Sequence, residues 1–166
     1  MRVREAMTNR VESCSPETNL ATVAGVMWEK DCGVLPVLDV SGKIVGMITD
    51  RDICIAVASR NRLASEIPVS DVMSSHVYSC RPDDDIEDAL KIMEEGNVLR
   101  LPVISDDGEL QGVLTIYSVV LHAGNDKSKK SHSLSSERVV GTLKRISGSR
   151  FNKPSEERAT AQGARA

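Results

Sequence analysis

The chain has 166 residues, of which 40% are hydrophobic and 2% aromatic, and its formal net charge is −3. This length suits one compact domain or two very small ones with an aliphatic core. No apolar run approaches the roughly 20 residues of a membrane span, and the N-terminal MRVREAMTNRVES lacks the apolar stretch of a secretory signal. Four cysteines without a CxxC pair indicate reduced thiols, so the expected location is the cytoplasm.

The charges are unevenly distributed along the chain. Residues 1–123 carry 11 basic and 20 acidic side chains, a net charge of −9, whereas residues 124–166 carry 10 and 4, a net charge of +6. The net negative charge of residues 1–123, called the body here, argues against nucleic acid as the main partner. The net positive charge of residues 124–166, called the tail, leaves that question open.

An internal repeat organises residues 1–123. Shifting the chain by 66 residues aligns residues 3–53 with residues 69–119 without a gap, so that GMITDRDI matches GVLTIYSV. The matched positions share glycine, proline, threonine and aliphatic residues, which indicates that both halves have one fold. We predict a first repeat over residues 1–66, a second over 67–123, and a basic linker, short helix and disordered tail over 124–166.

Each repeat is predicted to follow the order β-α-β-β-α. In the first repeat, a short strand near Val11–Cys14 precedes a helix with one predicted buried face at i, i+3, i+4 and i+7, formed by Leu20, Val23, Ala24 and Met27. VLPVLD and KIVGMIT then form a hairpin across a glycine-containing turn, and a second helix opens at Asp50. The second repeat follows the same pattern as far as a helix at Ile116. Neither repeat can bury its apolar face alone, so the fold class is α/β (α+β), with the repeats packed about a pseudo-twofold axis.

The tail is predicted to contain one amphipathic helix, in SLSSERVVGTLKRISG, with Ser135 or Ser136 as cap and Gly148 as stop. Its apolar stripe consists of Val139, Val140, Leu143 and Ile146. This helix has three candidate docking surfaces, which are the acidic residues 1–123, a second subunit and a separate partner. The alternative is a solvated, partly ordered tail, the commonest outcome for such a composition. Because the repeats are expected to close their own core before Ala123, deletion of residues 125–166 is expected to leave the body folded.

The T-x-x-D motif, Thr49 to Asp52, carries the candidate chemistry. Thr49 ends a strand and Asp52 falls in the first turn of a helix, where free backbone N–H groups and the positive dipole end suit a phosphate. Asp52 can accept hydrogen bonds from two vicinal ribose hydroxyls. The same residues also suit an ordinary helix cap, and Asp50 is expected to be a cap. In the second repeat Ser118 is uncharged and too short for the ribose role, which predicts one complete site per chain.

These features resemble the cystathionine-β-synthase-type (CBS) domain pair over about residues 1–123. The resemblance rests on REAM and SDVM before the two repeats, LPV in each first hairpin strand, and the repeated glycine-apolar-apolar-threonine motif. It implies that an adenine nucleotide, AMP, ADP or ATP, binds at the T-x-x-D motif in the cleft between the repeats. NAD and S-adenosylmethionine are further candidates. It also implies a homodimer that forms through the helices.

The resemblance implies further binding residues outside the motif. Arg100, which directly precedes LPV in the second repeat, is implied to bind the phosphate through its guanidinium. The alternative is a surface arginine paired with Asp106 or Asp107. The adenine is implied to lie against backbone and apolar side chains at two strand starts, Gly33, Val34 and Leu35, and Val11 and Ser13. Core packing is the alternative for each of these side chains.

The sequence therefore predicts a stand-alone regulatory module, with no enzymatic activity, obligatory cofactor or metal site. It binds an adenine nucleotide and passes a conformational bias to an unidentified protein partner. One alternative is a constitutive interaction scaffold with a vestigial pocket. A second is a cysteine-based redox or metal sensor, prompted by the repeat equivalents Cys14 and Cys80, although a buried cysteine also packs as a small hydrophobe.

Overall fold

The computed structural model describes residues 1–123 and 134–151. In chain order, its strands and longer helices are β1 (Thr8–Asn9), α1 (Leu20–Glu29), β2 (Val34–Leu38), β3 (Ile44–Thr49), α2 (Asp50–Arg60), α3 (Ile86–Gly96), β4 (Arg100–Ile104), β5 (Leu110–Thr115), α4 (Ile116–His122) and α5 (Ser136–Phe151). None of the helices in these ranges has the length and apolar composition to cross a membrane. The mixed α/β character predicted from the sequence is confirmed.

The chain divides into two compact units that are not consecutive in sequence. Residues Val11–Val77 form one unit, named here the first unit. Residues Met1–Arg10, together with the chain from Tyr78 through α5, form the second unit. Residues 1–10, the start of the first predicted repeat, therefore pack with the second repeat, and residues 67–77, the start of the second, pack with the first. The boundary between the repeats at residue 66 is placed from the sequence alignment of the two halves, and it stays a prediction.

In the first unit, β2 and β3 form an antiparallel hairpin in which Val34 lies opposite Thr49. The strand predicted near Val11–Cys14 is limited to one parallel bridge, between Cys14 and Val37. The predicted helical spacing places Leu20, Val23 and Met27 of α1 in the core, with three residues of the hairpin, Leu35, Val37 and Ile48. Ala24, the i+4 position of the predicted face, is exposed instead. Residues 67–77 close this unit, because the amide and carbonyl groups of Met47 and Ser74 form two hydrogen bonds, of 3.0 and 2.9 Å.

In the second unit, β5 pairs with both β4 and β1, and Thr8 lies opposite Val113. Gly112 permits the close approach of β1, because a Cβ atom at this position would overlap the carbonyl oxygen of Thr8. Residues of α3, β4, β5 and α4 form the core of this unit, where Leu90, Leu101 and Leu114 are fully buried. The β4–β5 hairpin begins and ends at the same repeat positions as the β2–β3 hairpin, and its bulge lies at the same position, as the repeat predicts.

The tail helix α5 belongs to the core of the second unit. Leu134, Val139 and Ile146 are 4%, 2% and 2% exposed and join the same buried cluster as α3 and α4. The expectation that the repeats close their core before Ala123 is therefore wrong, because three apolar side chains beyond that residue complete it. The helix also continues past Gly148 to Phe151, and Val140 lies outside the buried stripe with 47% exposure.

Candidate functional site

The T-x-x-D motif lies at the junction of β3 and α2, where it forms a reciprocal helix cap. Thr49 is the N-cap residue, and its Oγ1 accepts a hydrogen bond from the backbone N of Asp52 at 3.2 Å. In return, Oδ2 of Asp52 accepts from the backbone N and from Oγ1 of Thr49, at 3.1 and 2.7 Å. This capping box satisfies donors that would otherwise remain unpaired at the start of the helix. The capping interpretation thus holds for both residues.

Asp50 does not act as the N-cap. It is the first helical residue and is exposed, and its Oδ1 accepts from the backbone N of Arg51 at 2.7 Å. The expected cap was placed one residue too late, because the extended backbone of Thr49 already puts a hydroxyl in the capping position.

The start of α2 does not offer the free N–H groups that the phosphate hypothesis expects. The amide of Asp50 donates to the carbonyl oxygen of Gly33 at 3.4 Å, and the amides of Arg51 and Asp52 donate to the side chains of Asp50 and Thr49. The carboxylates of Asp50 and Asp52, both in this first turn, also neutralise the positive end of the helix dipole and would repel an anion. A phosphate at this point would have to displace existing hydrogen bonds, so the helix start suits a hydrogen-bond donor better than an anion.

Asp52 retains one acceptor atom that the cap does not use. Within the described residues, hydrogen bonds reach Oδ2 of this carboxylate, whereas none reaches Oδ1. The side chain is half-buried, so Oδ1 can accept from a ligand hydroxyl while Oδ2 maintains the cap.

The second repeat forms the same cap with a serine. The backbone N of Ser118 donates to Oγ1 of Thr115 at 3.0 Å, and Oγ of Ser118 accepts from the Thr115 amide at 3.2 Å. The Ser118 hydroxyl also donates to the Thr115 carbonyl at 2.9 Å. Serine therefore preserves the cap but has no second oxygen. The difference between Asp52 and Ser118 affects what the motif can bind and leaves the helix start unchanged.

The adenine residues implied by the resemblance lie in the first unit, together with Thr49 and Asp52. Val11 and Val34 are half-buried and Ser13 is exposed. The segment at Val11 and Ser13 runs beside β2, since the amide of Cys14 donates to the carbonyl of Pro36 at 3.0 Å. The side chain of Leu35 is 1% exposed and packs in the core, so core packing accounts for it and only its main chain remains a candidate.

Arg100 lies in the second unit, at the start of β4, where it is half-buried and opposite Thr115. The alternative pairing with Asp106 is not formed, because Asp106 pairs with Arg81 at 3.0 Å. No ion pair involves the guanidinium of Arg100 in the part of the chain that the structure describes. Its role in phosphate binding stays a prediction.

A pocket of about 380 Å³ opens on the first unit beside the start of α2. Its lining consists of Ala24, Met27, Trp28, Asp31, Cys32, Gly33, Asp50 and Ile53. Sequence reasoning did not identify Trp28, although α1 contains Glu29 as its only charged residue and that composition indicates a helix with partners on more than one side. Trp28 is 88% exposed, so one wall of the pocket is an aromatic side chain open to solvent.

The repeat-equivalent cysteines are packing residues of the two units. Burial raises the pKa of the Cys14 thiol to about 11. Burial, together with the charge of Asp84, raises the pKa of Cys80 to about 12. Thiols with raised pKa values are poor nucleophiles and poor metal ligands at neutral pH. Across the described residues, no group of three or more His, Cys, Asp or Glu side chains is arranged to hold a metal ion.

Comparisons with known proteins match the repeated part of the chain. The family model of the CBS domain matches residues 3–59 and residues 69–123. The CBS domain-containing protein YhcV of Bacillus subtilis (strain 168) is 31% identical over 129 residues, which cover 78% of this chain and 90% of that protein.

Two solved structures share the fold. Hypoxic Response Protein I, crystallised with two coordinated zinc ions, is 29% identical with a TM-score of 0.67, and the match covers 74% of this chain and 98% of that one. CBSX2, solved in complex with AMP, is 30% identical with a TM-score of 0.62, and the match covers 72% and 93% of the two chains.

Proposed function

The chain belongs to the CBS domain family, and on this basis we propose that it is a regulatory module that binds an adenine nucleotide through the first unit. The carboxylate of Asp52 carries the proposal. One oxygen holds the cap with Thr49, while Oδ1 accepts no hydrogen bond among the described residues and is positioned for a ribose hydroxyl. The AMP complex of CBSX2, a similar protein, supports an adenine nucleotide as ligand.

The module acts by differential binding and without catalysis. A nucleotide that binds one conformation more tightly than another shifts the population towards it, and a protein partner responds to that shift. The predicted location is the cytoplasm. Calorimetric titration of the full chain with AMP, ADP, ATP, NAD and S-adenosylmethionine tests the proposal. Saturable binding of at least one supports it, whereas no binding of any leaves the scaffold with a vestigial pocket as the better interpretation.

The start of α2 is already hydrogen-bonded, so the phosphate is expected to depend on a basic side chain, and Arg100 is the candidate. Arg100→Ala is expected to weaken AMP binding about tenfold, because a hydrogen bond to a charged group contributes about 1.5–3 kcal/mol. Adenosine binding is expected to remain unchanged. Arg81→Ala, which removes an exposed arginine paired with Asp106, is the matched control. Equal losses for AMP and adenosine would contradict a phosphate role for Arg100.

The outer face of α1 supports a homodimer. Ala21, Ala24, Gly25 and Trp28 are all exposed on this helix, which also buries apolar residues on its inner face. A helix that is apolar on both faces is normally buried in an assembly. We therefore assign the dimer interface to the α1 face, with small side chains that allow close approach and Trp28 as the central aromatic contact.

Trp28→Glu is expected to convert the dimer to a monomer, because it places a charge in the centre of an apolar interface. Light scattering coupled to size-exclusion chromatography measures the mass of each variant. Val40→Glu is the control, since Val40 is a fully exposed apolar residue in the turn between β2 and β3. A Trp28→Glu variant with the same mass as the wild type would place the interface elsewhere.

A further inference from the structure

Helix α5 is held against α3 by a cluster of charged side chains. Arg138 donates from Nε to Glu87 at 2.8 Å and from Nη1 to Glu94 at 2.6 Å. Arg145 donates to the second oxygen of Glu94 at 2.7 Å. Thr142, which is fully buried, donates to Glu94 at 2.7 Å. One carboxylate of α3 thus accepts from three side chains of α5.

Glu94 is well suited to accept hydrogen bonds from the side chains of α5. Its side chain is only 10% exposed. Burial by itself would raise its pKa, but the hydrogen bonds from Thr142, Arg138 and Arg145 lower the pKa to about 2. Glu94 is therefore ionised at neutral pH and recognises cationic groups on the helix that covers it.

Apolar contacts accompany the charged ones. Val139 and Ile146 each follow one of the arginines of α5, and both are buried in the cluster that contains Leu90 and Val119. Helix α5 contacts both α3 and α4. The surface under α5 is thus a groove between two helices, with an apolar floor and an acidic side formed by Glu87 and Glu94.

Helix α5 lies outside the two matched CBS domains. The matched domain ends at residue 123, and the match to Hypoxic Response Protein I covers 98% of that protein but only 74% of this chain. The two glutamates on the acidic side of the groove have no acidic equivalents in the first repeat. A shift of 66 residues puts Ala21 and Trp28 where the second repeat has Glu87 and Glu94, and Trp28 is exposed.

We propose that this groove, formed by α3 and α4, is a docking site for a basic amphipathic helix of a separate protein, and that α5 is its intramolecular occupant. The partner helix carries two arginines seven residues apart, a small hydroxyl residue between them and an apolar residue after each arginine. That pattern matches Arg138, Thr142 and Arg145, with Val139 and Ile146. Charge complementarity with Glu87 and Glu94 selects it.

A peptide displacement experiment with the full chain tests this proposal. The probe is a fluorescein-labelled peptide of residues 134–149, and anisotropy measures its binding. The wild type is expected to bind it weakly or not at all, because the attached α5 competes at high effective concentration. Arg138→Ala weakens the attached helix but leaves the peptide intact, so this variant is expected to bind the peptide.

A second substitution identifies the recognition group. Adding Glu94→Gln to Arg138→Ala is expected to weaken peptide binding about tenfold or more, since Glu94 accepts charged hydrogen bonds. Adding Glu95→Gln instead removes the same charge from the neighbouring exposed residue and is expected to leave binding unchanged. If Arg138→Ala does not fold, Arg145→Ala replaces it as the variant that weakens the attached α5, because Arg145 is more exposed.

Three results would overturn the proposal. If the folded arginine variants bind no peptide, α5 is a permanent part of the core and its groove accepts no external helix. If Glu94→Gln and Glu95→Gln have equal effects, the carboxylate of Glu94 does not recognise the helix. If the arginine variants form larger assemblies without peptide, the occupant is α5 of a second copy and not a helix of a separate protein.

Discussion

Replacement of Asp52 with serine is expected to weaken AMP binding about tenfold or more and to leave the fold intact. The loss follows from the removal of a charged acceptor, whose hydrogen bonds contribute about 1.5–3 kcal/mol. The fold is retained because Ser118 forms the same cap with Thr115 in the second repeat. Isothermal titration calorimetry with AMP measures the affinity, and thermal unfolding verifies that the cap is preserved.

The second repeat supplies the controls for this experiment. Ser118→Ala removes a side chain that carries no carboxylate, so its effect on AMP binding is expected to be small. Ser118→Asp introduces the missing carboxylate and tests whether a second site appears as a change in stoichiometry. If Asp52→Ser binds AMP like the wild type while Ser118→Ala loses it, the binding residue lies in the second repeat and the assignment to Asp52 is wrong.

Ile146→Ala is expected to lower the free energy of unfolding by about 2–5 kcal/mol, as is typical when a buried isoleucine is shortened to alanine. Ile146 is 2% exposed and lies in the same cluster as α3 and α4, so the cavity would open inside the core of the second unit. Urea denaturation followed by circular dichroism measures the change.

Val140→Ala is the matched control for Ile146→Ala on the same helix. Val140 is 47% exposed, so its truncation is expected to change the stability by about 0.5 kcal/mol or less. If the two variants are equally stable, α5 does not contribute to the core, and the original expectation of a core that closes before Ala123 would be restored.

The repeated fold could be predicted from short sequence patterns. The spacing of Leu20, Val23 and Met27 defines the buried face of α1, and turns with Gly42 and Gly108, both at positive φ, define the hairpins. The T-x-x-D motif could also be placed at a strand–helix junction, because a threonine followed by acidic residues is a local capping signal. These features depend on neighbours within a few residues, so the chain order alone specifies them.

The hydrogen-bonding state of the motif needed three-dimensional information. The amide of Asp50 donates to Gly33, which is distant in sequence, and this contact helps to close the helix start to a phosphate. Similarly, the spare Oδ1 of Asp52 becomes evident only when the partners of Oδ2 are known. A one-dimensional pattern can name the acceptor but cannot show which of its atoms is already used.

The packing of the chain ends depends on contacts between residues far apart in sequence. Residues 1–10 pack with the second repeat, because β1 pairs with β5 more than a hundred positions away. Arg138 reaches Glu87 and Glu94, 51 and 44 residues earlier, so a tail that reads as linker, short helix and disordered segment contributes a core helix. Helical periodicity indicates that α5 has an apolar face, but it contains no information about the surface that buries this face. That choice depends on the shape and charge of a groove that exists only after α3 and α4 have joined the core of the second unit.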